Sequence, residues 1–239
     1  MAQKNRMNST ASATATRIIA ALDVPTAEDA ARLVKLLSGR ITFFKIGLQL
    51  FTAAGPDIVR RVQDFGAKVF LDLKLHDIPN TVAKAVENAG KLGVEMLTIH
   101  LSGGGAMIAA AVKARTEATQ LLGVTVLTSI DQETLRETGV SGGVQDQVVR
   151  LARLGRNSGI DGFVASPREV SALRENLGPG VTLVIPGVRP AWAEAGDQKR
   201  TMPPADIIRA GADYLVVGRP ITGQADPVAA LDRLCAEIA

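Results

Sequence analysis

Eight short apolar runs alternate with eight stretches of helical periodicity along this chain of 239 residues. This βα alternation, with no break in composition, predicts a single (β/α)8 barrel domain over residues 17–239. The apolar runs are predicted as strands at residues 17–22, 42–46, 68–73, 96–100, 122–127, 162–165, 182–185 and 214–217. The helical stretches are residues 27–37, 48–65, 80–92, 106–119, 144–157, 167–176, 204–210 and 228–238.

Composition agrees with a parallel sheet wrapped by helices. Only 3% of residues are aromatic, so the core must be built from Val, Leu, Ile and Ala, as is usual for buried parallel strands. A doubly wound open sheet is the alternative. No G-x-G-x-x-G follows the first run, and residues 102–105 form only a glycine-rich loop after the fourth run, which argues against dinucleotide binding.

Two local signals define helix boundaries. Thr26 followed three residues later by Asp29 resembles a capping box, which predicts a helix start. Gly55 and Pro56 interrupt the second helical stretch, so a break is expected there.

The terminal residues, the single cysteine and the net charge indicate where the protein is located and which class of ligand it binds. Residues 1–16 are expected to form a frayed or disordered leader, with Met7 an alternative first residue. No apolar run reaches the roughly 18 residues of a membrane span, and the leader lacks a signal-peptide core. With one cysteine, Cys235, a cytoplasmic protein is expected. The net charge is +3, and the basic residues are scattered along the chain. This pattern favours a small anionic ligand over nucleic acid or a membrane.

The sequence D-x-K-x-x-D follows the third apolar run. Side chains alternate along a strand, so Asp72 and Lys74 are predicted to share a face, whereas Asp77 falls in the turn before the next helix. An isolated triplet of this kind is usually a solvated ion cluster. Here its position at a predicted strand end indicates a site.

Polar side chains follow most of the other runs as well. In a barrel, the carboxyl ends of the strands build the active site. The residues predicted to meet there are Asp23, Lys45, Asp72, Lys74, His100, Thr128, Arg189 and Arg219.

The residue types at these ends narrow the chemistry. The chain has no nucleophile elbow, no H-E-x-x-H and no cysteine pair, so nucleophilic hydrolysis and zinc catalysis are poorly supported. Alternating carboxylates would keep Lys45 and Lys74 protonated, leaving an ammonium that donates a proton and a carboxylate that repels an anion. Two like charges about 4 Å apart cost about 4 kcal/mol at an effective dielectric near 20. A substrate carboxylate beside Asp72 would therefore be driven to leave as carbon dioxide.

The last strand is followed by a phosphate-binding pattern. In Gly218-Arg219-Pro220-Ile221, glycine allows close backbone approach and arginine supplies a forked donor. The polar, Pro- and Gly-rich segment 186–200 is long enough for a lid over an anion.

These motifs together resemble the orotidine 5′-phosphate decarboxylase family over nearly the whole chain after the leader. The matching segments are ALDV at Ala21, FKIG at Phe44, LDLKLHDIPNTV at Leu71, TIHLSGG at Thr98, VLTS at Val126, IPGVRP at Ile185, GDQKR at Gly196 and VVGRPI at Val216. The resemblance implies a homodimeric barrel that converts orotidine 5′-phosphate to uridine 5′-phosphate without a metal or an organic cofactor.

The resemblance also implies roles for individual residues. Lys74 is expected to donate the proton to C6 of the pyrimidine, and Asp72 to face the departing carboxylate. Lys45 is expected to orient Asp72 and touch the ribose, and Asp23 to bind a ribose hydroxyl.

Further positions follow from the same motifs. Asp77, with Ile78 and Thr81, is expected to reach across the dimer interface into the partner's site. Thr128 is expected near the pyrimidine, and the residues expected to contact phosphate or bridge it to the base are Arg189, Gln198, Gly218 and Arg219. His76 and His100 are expected to be structural, since the reaction gives neither a proton-transfer role.

Two alternatives remain open at the level of sequence. A magnesium-dependent decarboxylase or aldolase of sugar phosphates on the same scaffold also uses D-x-K-x-x-D, but it is expected to carry an acidic residue where this chain has Lys45. A non-catalytic anion-binding or nucleic-acid-binding protein would explain the basic charge without turnover.

Overall fold

The strands of this protein close into a parallel barrel in the computed structural model, which describes residues 14–193 and 200–238. Each strand pairs with its neighbour in sequence, and β1 pairs with β8 to complete the ring. The predicted (β/α)8 barrel is confirmed. The strands are β1 Ile18–Ala21, β2 Phe43–Gly47, β3 Lys68–Leu75, β4 Met96–His100, β5 Gln120–Val124, β6 Gly162–Val164, β7 Thr182–Ile185 and β8 Tyr214–Val217.

Helices connect successive strands. Thr26 caps the first of them by accepting the Asp29 N–H at 3.1 Å, and Gly55, with φ of 68°, separates the second from the third, as predicted. The α-helices are α1 Ala27–Leu37, α2 Leu48–Ala54, α3 Asp57–Gln63, α4 Pro79–Lys91, α5 Gly104–Ala114, α6 Gln132–Glu137, α7 Val144–Asn157, α8 Val170–Leu177, α9 Pro204–Arg209, α10 Arg219–Thr222 and α11 Pro227–Ile238. Short 3₁₀ turns at Leu101–Gly103 and Pro167–Glu169 precede α5 and α8.

The structure differs from the sequence-based expectation after β4. The apolar run at 122–127 predicts a strand to residue 127, but β5 ends at Val124. The next residue, Thr125, still contacts β6, since its N–H and its hydroxyl both donate to the carbonyl of Val164, at 3.1 and 3.0 Å, and the chain bends at Val126. The later helix α6, capped by Asp131, was not predicted, since six residues are too few to show a clear period.

Two layers of apolar side chains form the core. Along β1, Ile18 and Ala20 face the helices, whereas Ile19 and Ala21 face the barrel interior, as the two-residue period of a strand requires. The interior layer consists of Ile19, Ala21, Phe43, Phe70, Met96, Leu122, Val184 and Val216. This layer packs the inside of the barrel, as is usual for the fold.

The terminal segments complete the description. Residues 1–13 of the expected leader lie outside the described residues, and the side chains of Thr14 and Ala15 are buried. Cys235 on α11 is also buried, and burial, with the nearby Asp232, raises the pKa of its thiol to about 11. No helix within the described part of the chain has the length and apolar character needed to cross a membrane.

Candidate active site

A cavity of about 530 Å³ lies at the carboxyl ends of the strands. It brings together residues from the start and the end of the sequence, as expected for a barrel site. The predicted site residues that line it are Asp23, Lys45, Asp72, Lys74, Thr128, Arg189, Gly218 and Arg219. We call the first four the carboxylate–lysine cluster, and Arg189, Gly218 and Arg219 the arginine end.

The carboxylate–lysine cluster is a chain of alternating charges. Lys45 Nζ donates to Asp23 Oδ1 at 2.9 Å and lies 3.6 Å from Asp72 Oδ2. Lys74 Nζ donates to the same Asp72 Oδ2 at 2.7 Å. The side chains of Lys45 and Asp72 are only 10% and 11% exposed, so these charges interact through protein more than through water.

Strand β2 points its lysine into the barrel and leaves room for it. Phe43 and Lys45 share the inner face of the strand, and Gly47 follows two residues later. A Cβ at Gly47 would lie 2.8 Å from Lys45 Nζ and 3.2 Å from Asp23 Oδ1. The missing side chain at this position therefore accommodates the ion pair.

Strand β3 carries Asp72 and Lys74 on one side, as predicted, but its backbone is irregular there. Lys74 has φ of 50° and is the one non-glycine residue with positive φ in the described ranges. This left-handed conformation costs about 1–2 kcal/mol for a residue with a side chain. Such strain at a site persists only where surrounding contacts hold it.

Asp72 remains ionised inside this site. Burial alone would raise the pKa of its carboxyl group, but the ammonium groups of Lys45 and Lys74 and a hydrogen bond from Thr98 lower it more strongly. The net pKa lies below the ordinary value of 3.8. A carboxylate is thus held next to two cations at neutral pH.

The arginine end is built from the segments after β7 and β8. The backbone N–H of Arg189 donates to the carbonyl of Met202 at 3.0 Å, and an isolated bridge joins Val188 to Met202. Gly218 lies beside the carboxylate–lysine cluster because β1 and β8 are neighbours. A Cβ built at Gly218 would lie 3.7 Å from Asp23 Oδ2.

A buried ion pair supports this end, and sequence reasoning did not identify it. Arg200 Nη1 donates to Glu169 Oε1 at 2.5 Å, and Arg200 Nη2 donates to the carbonyl of Leu127 at 2.8 Å. Glu169 Oε2 also accepts the Ser166 N–H at 3.1 Å. The pair ties the segment before Met202 to the segment before Thr128.

Other predicted residues lie away from the cavity. Asp77 is exposed, and its Oδ1 accepts the Ile78 N–H at 2.6 Å. Ile78 is 67% exposed, and Thr81 is also exposed on the first turn of α4. These three residues do not line the site of their own chain. Gln198 lies outside the described residues.

The expectation that His100 joins the cavity is wrong. Its ring packs against His76 at 5.4 Å between centroids, and neither histidine lines the cavity. Burial, the His76 ring and the Lys74 ammonium lower the pKa of His100. In residues 14–193 and 200–238, no three or more His, Cys, Asp or Glu side chains gather in a way that could hold a metal ion.

Comparisons with known proteins agree on one family. The model of the "Orotidine 5'-phosphate decarboxylase / HUMPS family" matches residues 16–234. The orotidine 5′-phosphate decarboxylase of Moorella thermoacetica is 53% identical over 231 residues, covering 93% of this chain and 92% of that protein. The enzyme of Syntrophotalea carbinolica is 51% identical, covering 93% and 95%. The crystal structure of the Lactobacillus acidophilus orotidine 5′-phosphate decarboxylase superposes with a TM-score of 0.82 at 36% identity, covering 93% of this chain and 99% of that one.

Proposed function

This chain belongs to the orotidine 5′-phosphate decarboxylase / HUMPS family, and we propose that it converts orotidine 5′-phosphate to uridine 5′-phosphate and carbon dioxide. That reaction is the last step of de novo pyrimidine synthesis. The observation that carries the proposal is one cavity that is lined both by the carboxylate–lysine cluster and by two arginines, Arg189 and Arg219. The substrate has the matching charges, a carboxylate on its base and a phosphate on its ribose.

Asp72 acts on the substrate carboxylate. With the base in the cavity, the carboxylate at C6 lies against the ionised Asp72, and the two negative charges repel. At about 4 Å and an effective dielectric near 20, the repulsion is about 4 kcal/mol. It is relieved when the bond from C6 to the carboxylate breaks, so it lowers the barrier to loss of carbon dioxide.

Lys74 acts on the carbon left behind. The electron pair of the broken bond stays on C6, and the Lys74 ammonium stabilises this negative charge and gives C6 a proton. The hydrogen bond of Lys74 Nζ to Asp72 at 2.7 Å holds the ammonium group next to the carboxylate. Lys45 supports Asp72 from the other side and contacts the ribose.

The remaining groups hold the substrate. Asp23 binds a ribose hydroxyl, and Thr128 lies near the pyrimidine. The phosphate, or its link to the base, is contacted by Arg189, Gln198, Gly218 and Arg219. Binding energy from this end positions the base over Asp72 and Lys74.

The reaction is proposed to need no metal or organic cofactor. The magnesium-dependent alternative is expected to carry an acidic residue where this chain places Lys45. The Lys45 ammonium lies 2.9 Å from Asp23 and 3.6 Å from Asp72, so a lysine of the chain supplies the positive charge between these carboxylates.

Purified protein with orotidine 5′-phosphate and excess chelator tests this function. The absorbance change of decarboxylation should be seen in the unmodified chain and lost in Lys74→Ala. Lys91→Ala, at an exposed lysine on α4, is the matched control and should be fully active. No turnover, or turnover abolished by chelator, would overturn the proposal; salt-sensitive oligonucleotide binding without turnover would favour the non-catalytic alternative.

The protein is proposed to act as a cytoplasmic homodimer with shared sites. Residues 76–81 form a continuous exposed segment that begins two residues after Lys74, and this segment carries the apolar Ile78, which is 67% exposed. Asp77, Ile78 and Thr81 then contribute to the partner's cavity.

Subunit mixing tests the shared site. Lys74→Ala and Asp77→Ala should each be inactive alone. In mixed dimers, one of the two sites receives an intact Lys74 and an intact Asp77, so activity should return on mixing. Two inactive variants that stay inactive after verified subunit exchange would contradict the arrangement.

A further inference from the structure

The pairing register between strands β3 and β4 shifts beside the cavity. Leu71 pairs with Leu97, but the next pair is Leu75 with Ile99. Four residue steps on β3 are therefore matched to two on β4, and Asp72 and Lys74 lie in the extra length. An irregularity of this kind interrupts backbone pairing and re-aims side chains.

The side chain of Thr98 fills this interruption. Its Oγ1 accepts the backbone N–H of Lys74 at 2.9 Å and donates to Asp72 Oδ1 at 2.9 Å. A hydroxyl can accept and donate at once, which neither Val nor Ala can do. Thr98 is fully buried, and it is absent from the cavity lining.

We propose that Thr98 is a positioning residue for the decarboxylation, which fixes Asp72 and the backbone of Lys74 relative to each other. The inference rests on the proposed function and adds to it a residue that does not touch the substrate. Through one hydroxyl, the carboxylate of Asp72 is joined to the backbone of Lys74.

Each hydrogen bond of Thr98 sets one degree of freedom. The bond to Asp72 Oδ1 fixes the carboxylate plane, so that Oδ2 is left for Lys74 at 2.7 Å and for Lys45 at 3.6 Å. The bond to the Lys74 N–H holds a residue in its left-handed conformation. Without the hydroxyl, the carboxylate can rotate, and the partly buried N–H of Lys74 loses its partner.

Thr98→Val and Thr98→Ser separate this role from packing. Valine keeps the shape and removes both bonds, so kcat should fall about 10- to 100-fold while the Kd for uridine 5′-phosphate stays within about threefold. Serine keeps the hydroxyl and should restore kcat to within about threefold. The acidic limb of kcat/KM should also move to higher pH in Thr98→Val and return in Thr98→Ser, since a carboxylate that loses a hydrogen bond is protonated more easily.

Thr125→Val is the matched control. Thr125, directly after β5, is also a buried threonine, but its hydroxyl donates to the carbonyl of Val164 at 3.0 Å instead of to a residue of the carboxylate–lysine cluster. Its substitution should leave kcat unchanged.

The outcomes are distinct. Normal kcat in Thr98→Val, or a loss that serine fails to restore, would overturn the positioning role while the unmodified enzyme still decarboxylates. An unmodified chain without decarboxylation would overturn the proposed function itself. Should Thr98→Val not fold, amide exchange of Lys74 in the unmodified protein decides: slow exchange supports the bond to Thr98, and exchange at the rate of an exposed amide contradicts it.

Discussion

Arg200 and Glu169 form an ion pair at 2.5 Å, with side chains only 8% and 5% exposed. The pair joins two loops at the carboxyl end of the barrel, and through the carbonyls of Val126 and Leu127 it also reaches the segment that carries Thr128. The position of the arginine end thus depends on charges that do not themselves face the cavity.

Glu169→Ala should lower the free energy of unfolding by about 3–5 kcal/mol, because it leaves the Arg200 guanidinium buried without its counter-charge. Glu169→Gln should lose less, since an amide oxygen can still accept. Urea denaturation measures both, and Glu87→Ala, in an exposed pair with Lys84, is the control with a much smaller effect. Equal losses of unfolding free energy in Glu169→Ala and Glu87→Ala would show that the buried ion pair contributes no more to stability than the exposed one.

Lys45→Met should make activity more sensitive to acid. The pKa of Asp72 now lies below 3.8, against the effect of burial, because Lys45 and Lys74 both favour its ionised form. Removing one cation raises that pKa, so the acidic limb of kcat/KM should move to higher pH. The profile is measured from about pH 4 to 8, beside Lys91→Met as control. An unmoved limb would contradict the assigned role of Lys45.

Arg219→Ala should weaken binding that depends on phosphate. Loss of a charge-assisted contact is worth about 10- to 100-fold in Kd. Titration calorimetry should therefore show this loss for uridine 5′-phosphate and none for uridine. Unchanged affinity for the nucleotide would refute the phosphate assignment.

His100 should make the fold less stable in mild acid. Burial, then His76 and Lys74, lowers its pKa below 6.5 in the folded protein. The unfolded state therefore binds the proton first, and stability is lost as pH falls from about 7 towards 5. Urea denaturation at several pH values should show this slope, reduced in His100→Gln. His76→Gln should retain most of it, because burial remains the larger cause; an equal slope in His100→Gln would exclude His100 as its source.

The alternation of apolar runs and helices was sufficient to predict the barrel. In this fold each β/α unit buries the face of its own strand. The hydrophobic pattern along the sequence therefore already reflects the packing of the whole barrel. Asp23, Lys45, Asp72 and Lys74 could be placed together for the same reason, since parallel strands end at one edge. The exact ends of the strands could not be predicted. Val126, for example, is buried by packing although β5 has already ended.

The residues that support the site without lining the cavity could not be predicted from the sequence either. Thr98 reads as an ordinary strand threonine, and its role depends on a register shift between β3 and β4 that no periodicity records. Arg200 and Glu169 are 31 residues apart, and nothing local pairs them. His100 was misplaced because a strand end fixes the position of a residue along the barrel axis but not the direction of its side chain.

Asp23 follows the first strand and Gly218 follows the last, yet the two residues are neighbours in the folded barrel. Ligand binding is therefore linked to the closure of the barrel during folding. During synthesis the carboxylate–lysine cluster emerges early, whereas the arginine end follows only with β7 and β8. Under the proposed function, the nucleotide contacts groups on both sides of the β1–β8 seam, so binding is expected only after β8 has paired with β1 and the barrel has closed.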